Sequence, residues 1–316
     1  MNVSIIYVNY KTGELMLNSI RSVKELTEGI NYEIIVVDNH SDDNLLSVIK
    51  EKYPEIICIE SPENIGFGRA NNLGIEIAQG ECILFLNPDT LLINNAIAIL
   101  YRVLESSEQI GACGGNLHDE NKQATFSFYR KAPSLTQTAL SIFRLSEIYL
   151  NAPRSRFFNN TGKPLEVASI IGADLMVKKN VLDKTGLFDP DFFLYAEEIE
   201  LCYRIKQFGY KILSVPDAKI IHLEGKSPGT SKSRQFLQFQ SYFRLFKKLY
   251  GEKSVKYIYW FTQLKNYRML TQCTLLRNRE KINYWKMKKE TAKEAFDSIV
   301  NFDYFCKLKY KQTKNT

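Results

Sequence analysis

The sequence predicts an α/β fold, a mainly parallel central sheet flanked by helices, followed by a helical extension. Three observations predict it. In the first hundred residues, unbroken apolar runs alternate with segments of helical spacing, the pattern of a parallel sheet covered on both faces. Each of those runs ends on polar residues. Beyond Lys226 the chain becomes basic, aromatic and helical in pattern. With 316 residues, 45% of them hydrophobic, there is ample core for one large domain or two smaller ones.

The elements follow in order. "VSIIYVNY" is apolar and β-branched; with no basic run or cleavage site beside it, a first strand is expected and not a signal peptide. "TGELMLNSIRSVKEL" sets Leu15, Ile20, Val23 and Leu26 near one helical face. "YEIIVVDN" reads as a buried strand, and "SDDNLLSVIKEKY" as a helix opened by a capping-type Ser41. "EIICIES" and "ECILFLNPD" read as the third and fourth strands. A helix is expected from Leu91 to about Ser106, then "IGACGGNLHD", a less regular stretch to about Gly162, and one strand in "VASIIGADLMV". A short helix, a loop, a helix from about Ala196 to Phe208 and one or two strands complete the body.

Composition narrows the class. No apolar run approaches the roughly 18 residues of a membrane span. Cys58, Cys82, Cys113, Cys202, Cys273 and Cys306 form no CxxC pair, which suits reduced thiols in the cytoplasm. Of 42 Lys+Arg and 35 Asp+Glu, 21 and 6 lie in residues 226–316, so a tail of +15 follows a body of −8. Such a tail attracts phosphate-rich partners, nucleic acid or anionic lipid. The acidic body and the lack of any nucleic-acid motif argue against nucleic acid.

Ligands in open α/β sheets collect at the carboxyl ends of the strands, here Asn9, Asp38, Asn39, Asn87 and Asp89. Asp38 suits a ribose or base, or else it caps the next helix. The loop Asn64–Asn72 lacks both GxxxxGK[ST] and GxGxxG, which argues against kinases, nucleotidyltransferases and dehydrogenases. Its glycines still admit a ligand close to the backbone. Arg69 could meet a diphosphate or lie on the surface. Asp89 suits a hard divalent cation. His222, in "KIIHLEG", is either a second ligand or a satisfied core histidine. Glu197, Glu198 and Glu200 open a helix, where they are either a dipole-stabilised acidic turn or a site containing a general base.

Together "VNY" (8–10), "VVDN" (36–39), "NIGFGRANNLGI" (64–75), "LFLNPDT" (84–90), "FFLYAEEIELCYRIKQFGYKI" (192–212) and "IIHLEGKS" (220–227) resemble family-2 glycosyltransferases, more narrowly the bacterial rhamnosyltransferase-like branch. The resemblance covers roughly residues 1–230 and implies a GT-A fold. Residues 1–225 would form the transferase domain, with a nucleotide-sugar half to about 110 and an acceptor half from about 111. Residues 226–316 would form the helical basic region. Asn9, Tyr10, Asp38, Asn39, Asn64, Gly66, Phe67, Arg69, Asn72, Asn87 and Asp89 would hold the nucleotide-sugar, and Gly172, Ala173 and Asp174 would line the donor and acceptor pocket. Asp89 stands where the second Asp of the family's DxD motif stands, Asn87 replacing the first. With His222 it would bind Mg²⁺ or Mn²⁺. Glu198 stands at the base of the family's "ED" pair, where Asp is usual, and Glu197 remains an alternative.

The resemblance further implies an inverting, metal-dependent enzyme of cell-surface polysaccharide assembly. dTDP-rhamnose is the leading donor, ahead of UDP-galactofuranose, UDP-GlcNAc and UDP-glucose; a non-catalytic nucleotide-sugar binder is the alternative. The acceptor would be a lipid-linked glycan. The basic, aromatic tail would hold the enzyme to an anionic membrane on its cytoplasmic face, or else form a solvated face or a homodimer contact.

Overall fold

The structure, a computed structural model, describes residues 1–142, 157–223 and 231–312. Residues 224–227 of the last matching motif, and the boundary at Lys226, fall outside it. Contacts divide the chain into two compact units. One comprises Met1–Ala132, Ala152–Phe193 and Glu197–Pro228, the other Pro133–Asn151, Leu194–Ala196 and Gly229–Thr316.

In the first unit the order is β1 (Val3–Asn9), α1 (Gly13–Leu26), β2 (Tyr32–Asp38), α2 (Leu45–Lys52), β3 (Ile57–Glu60), α3 (Phe67–Ile77), β4 (Cys82–Leu86), β5 (Thr90–Leu92), α4 (Ala96–Glu105), β6 (Ile110–His118) and β7 (Phe128–Tyr129). After α5 (Leu135–Ile142), which belongs to the second unit, come β8 (Leu165–Glu166), β9 (Ser169–Ile170), β10 (Asp174–Lys178), α6 (Lys179–Thr185), α7 (Glu197–Gln207) and β11 (Lys211–His222). The main sheet runs β3-β2-β1-β4-β10-β6-β11-β5, with β8 on β11.

The first four strands are parallel, as expected. The far half is mixed. β10 is antiparallel to both β4 and β6, because it starts beside the carboxyl end of β4 and runs back between the two. Alternate residues of β1 explain its unbroken apolar run. Val3, Ile5 and Tyr7 pack with Met16, Ile20, Ile97 and Leu100 on one face. Ile6 and Val8 pack with Ala70, Ile75, Leu201 and Ile205 on the other.

Three local expectations are corrected. Ser41 does not cap α2, which starts at Leu45; its hydroxyl accepts from Asn9 Nδ2 (2.8 Å) and the Lys11 amide (3.1 Å). "VASIIGADLMV" is two strands, because β9 pairs with β7 while β10 joins the main sheet, leaving Ile171–Ala173 as a turn. A short β5 follows Asp89 and pairs antiparallel with the end of β11. It is only three residues long, with no alternation to mark it in the sequence.

The second unit holds α5, α8 (Ser231–Tyr250), α9 (Glu252–Leu275) and α10 (Arg279–Gln312). Phe243, Phe246, Val255, Ile258, Ala295 and Ile299 form its core, with Tyr259 stacked on Phe296 at 4.1 Å. Ser241 Oγ donates to the Leu194 carbonyl (2.7 Å), tying in the three residues before α7. Among the described residues, no helix is long and apolar enough to cross a membrane.

Candidate active site

The site is built from the carboxyl ends of β1, β2 and β4. Register sets Asn9 beside Asp38, both buried, and Asn9 Nδ2 donates to Asp38 Oδ1 at 2.7 Å. Asp38 Oδ2 accepts from the Ser41 amide at 3.1 Å, while Asn9 Oδ1 accepts from the Thr12 amide and hydroxyl. Asp38 therefore braces the turn after β2 as well as ending the strand. Tyr10 is exposed beside this knot, with Lys11 over its ring. Asn39 Oδ1 accepts from the Ile65 amide (2.9 Å) and its Nδ2 donates to Asn64 Oδ1 (2.9 Å), which in turn accepts from the Gly66 amide (3.1 Å). Two side-chain amides thus shape the loop that opens α3.

That loop is pinned to the segment leading into α7. The Phe67 amide donates to the Phe193 carbonyl at 2.9 Å. The Asn72 side chain bonds both backbone groups of Phe188, at 2.9 and 3.1 Å. The Arg69 guanidinium donates to the Pro190 carbonyl at 2.8 and 2.6 Å. Arg69 and Asn72 thus hold the chain's own backbone in this structure, and neither of these contacts directs them toward a diphosphate. Gly66 has φ +88°, and a Cβ there would lie 2.4 Å from the Phe193 carbonyl oxygen. Gly66→Ala is expected to destabilise the fold by at least about 2 kcal/mol and to weaken donor binding. An unchanged denaturant midpoint would remove this close approach from the account.

Asp89 and His222 lie 133 positions apart in sequence, and the β5–β11 ladder joins them. Thr90 pairs with His222, the Leu223 amide donates to the Asp89 carbonyl (2.9 Å), and His222 Nε2 lies 3.3 Å from Asp89 Oδ1. Asn87 Nδ2 is 3.5 Å from the same imidazole nitrogen. Two nearly buried donors, one hard oxygen and one imidazole nitrogen, fit Mg²⁺ or Mn²⁺. Among the described residues no group of three His, Cys, Asp or Glu is placed to hold a metal ion. Ala173 and Asp174 lie fully buried behind this surface. Asp174 Oδ2 accepts from the Gly115 amide at 2.5 Å, its Oδ1 has no partner, and burial pushes its pKa up to about 7.

The acidic turn of α7 separates into three roles. Glu200 is buried and its carboxylate takes three bonds of 2.7–2.9 Å from Arg204, which also donates to the carbonyls of Thr185, Gly186 and Leu187. It is a structural clamp. Glu197 is buried near Gly68, its Oε2 without a partner; burial and then the Glu198 charge hold its pKa well above the usual range. Glu198 is half-buried and lies against Gly172, the turn glycine before β10. Burial pushes its pKa up to about 7, against amide hydrogen bonds at the start of α7. The two halves of the site meet at this turn, since the Asn87 amide donates to the Ala173 carbonyl (3.0 Å).

A cleft of about 400 Å³ lies along the outer face of α7, lined by Arg130, Lys131, Ser169, Ile199, Tyr203 and Lys206 among others. Sequence reading missed it, along with Gly115, Arg204 and the Phe188–Phe193 segment. The i,i+4 spacing of Glu200 and Arg204 was a usable signal; the others depend on contacts distant in sequence.

Comparison with known proteins gives the family and the fold. The model of the family described as Glycosyl transferase family 2 matches residues 4–186. Rhamnosyltransferase WbbL of Escherichia coli (strain K12) is 29% identical over 212 residues, spanning 63% of this chain and 78% of that protein. The N-acetylglucosaminyl-diphospho-decaprenol L-rhamnosyltransferase of Mycobacterium tuberculosis (strain CDC 1551 / Oshkosh) is 25% identical over 240 residues, 71% of this chain and 77% of that protein. The mannosyltransferase PcManGT from Pyrobaculum calidifontis, solved with GDP-Man and Mn²⁺, superposes with a TM-score of 0.62 at 16% identity, covering 95% and 87% of the two chains. That likeness establishes the GT-A fold.

Proposed function

The chain belongs to glycosyl transferase family 2, and on that premise we propose that it moves a sugar from a nucleotide-sugar to a hydroxyl of a glycan acceptor by one inverting displacement. The observation that carries this reading is the pairing of Asp89 with His222 at 3.3 Å, joined through Asn87 and the Gly172–Ala173 turn to the carboxylate of Glu198. Glu198 takes the proton of the acceptor hydroxyl. The new bond forms between that oxygen and the anomeric carbon, and the nucleoside diphosphate departs with the electron pair. Asp89 and His222 would hold a cation, and Mg²⁺ or Mn²⁺ bound there would supply positive charge for the leaving diphosphate. Asn9, Asp38 and the Asn39–Asn64 bridge shape the seat of the nucleoside.

Rhamnose from dTDP-rhamnose is the proposed donor, in line with the two rhamnosyltransferase relatives. The mycobacterial relative's name gives a diphosphate-linked lipid acceptor. A lipid-linked acceptor at the cytoplasmic face of the membrane is proposed here too. The cleft beside Tyr203 supports it, since Arg130 and Lys131 in its lining suit a phosphate and Tyr203 suits a sugar ring. A thermal-shift screen of nucleotide-sugars with and without Mn²⁺ tests the donor. dTDP-rhamnose is expected to raise Tm only when Mn²⁺ is present, by about 2.7 kcal/mol of stabilisation at a hundredfold excess over Kd. If no nucleotide-sugar moves Tm, the transferase reading fails.

A further inference from the structure

α9 is apolar on two opposite sides. At about 100° per residue, Val255, Ile258, Asn266 and Cys273 face the core of the helical unit, and Tyr257, Trp260, Leu264, Tyr267 and Leu275 fall within about 80° on the opposite side. These five are exposed, Trp260 by 67% and Leu275 by 84%. They run for about 27 Å along the helix. Leu276, 71% exposed, continues the stripe into the turn before α10. A row of six large apolar side chains in water needs a cover, because exposed apolar patches of this kind mark interaction surfaces.

The surrounding charge selects the cover. Lys253 and Lys256, both exposed, fall in the same sector of α9 as the stripe, and the exposed Arg277 and Arg279 flank its far end. Residues 226–316 carry 21 Lys+Arg against 6 Asp+Glu. A second copy of the chain docked through the same face would bring like charge against like. An anionic bilayer brings the opposite sign, and Trp and Tyr side chains suit its headgroup layer. We propose that the exposed face of α9, from Tyr257 to Leu276, lies flat on an anionic phospholipid surface, with its leucines among the acyl chains and its Lys and Arg at the lipid phosphates. The helix lies on the membrane and does not span it.

The biological purpose rests on the lipid-linked acceptor proposed above, but the test does not. The full chain is floated with vesicles of phosphatidylcholine alone and of phosphatidylcholine mixed with phosphatidylglycerol, without donor or acceptor. Binding is expected to the mixed vesicles, falling with added salt. Trp260→Ser with Leu275→Ser and Leu276→Ser is expected to cut that binding at least about tenfold. Lys253→Gln with Lys256→Gln, Arg277→Gln and Arg279→Gln is expected to cost about fivefold per charge and flatten the salt dependence. All of these positions are exposed, so Tm is expected to hold. Three results overturn the proposal: no vesicle binding by the wild type, equal binding by the apolar variant, or a solution mass of two chains that falls to one in that variant. Transfer to a water-soluble acceptor is expected to survive in the variant, so failure of the membrane face and failure of the transferase reading are separable.

Discussion

Glu198→Gln is expected to lower kcat by about 10²–10⁴-fold while leaving donor affinity nearly unchanged. The amide keeps the shape of the side chain but cannot take the acceptor's proton. In the wild type, kcat/KM is expected to fall about tenfold per pH unit below about 7, the value to which burial raises this carboxyl. Stability changes in the opposite sense. A carboxyl with a raised folded pKa stabilises the fold when protonated, and that contribution is lost as pH rises from the unfolded value, about 4.3, through about 7. Glu198→Gln is therefore expected to melt higher than wild type above neutrality and level with it near pH 4. A base at this position would cost stability in return for its chemistry, a common trade at functional sites. Near-normal turnover in Glu198→Gln, with the loss appearing in Glu197→Gln instead, would move the base to the buried neighbour.

Asp89→Ala and His222→Ala are each expected to lower kcat/KM by about 10²–10³-fold and to abolish the Mn²⁺-dependent part of the donor's thermal shift. The two losses are expected to be far from additive, because both side chains serve one centre. Asp174→Asn is the companion variant. Its amide oxygen can still accept from the Gly115 amide, so the pairing behind the site is kept and Mn²⁺ dependence should persist. Calorimetry that found equal Mn²⁺-dependent donor affinity in wild type and in Asp89→Ala would remove the pair from the site.

Much of the molecule is legible in the sequence alone. Strands β1 to β4 announce themselves because both of their faces are buried, which leaves an unbroken apolar run and a polar residue where the run ends. The helix α7 matched its expected bounds to within a residue at each end, since period and capping act over one or two turns. Gly172 was named through the family resemblance, but not its position against Glu198, which depends on a turn that splits one apolar run between two sheets.

By itself the sequence determined the fold class and the family, and it named the candidate residues for a nucleotide, a cation and a proton. These follow from local pattern, and local pattern is written in consecutive residues. Only the tertiary structure decided how those residues divide their work. Glu200 went to Arg204, Asn72 and Arg69 went to backbone carbonyls, and Glu198 was left half-open at the turn. The reason is physical: a buried carboxylate or amide takes whichever partner the packed chain brings within hydrogen-bond reach, and strand register sets that reach across 133 residues for Asp89 and His222.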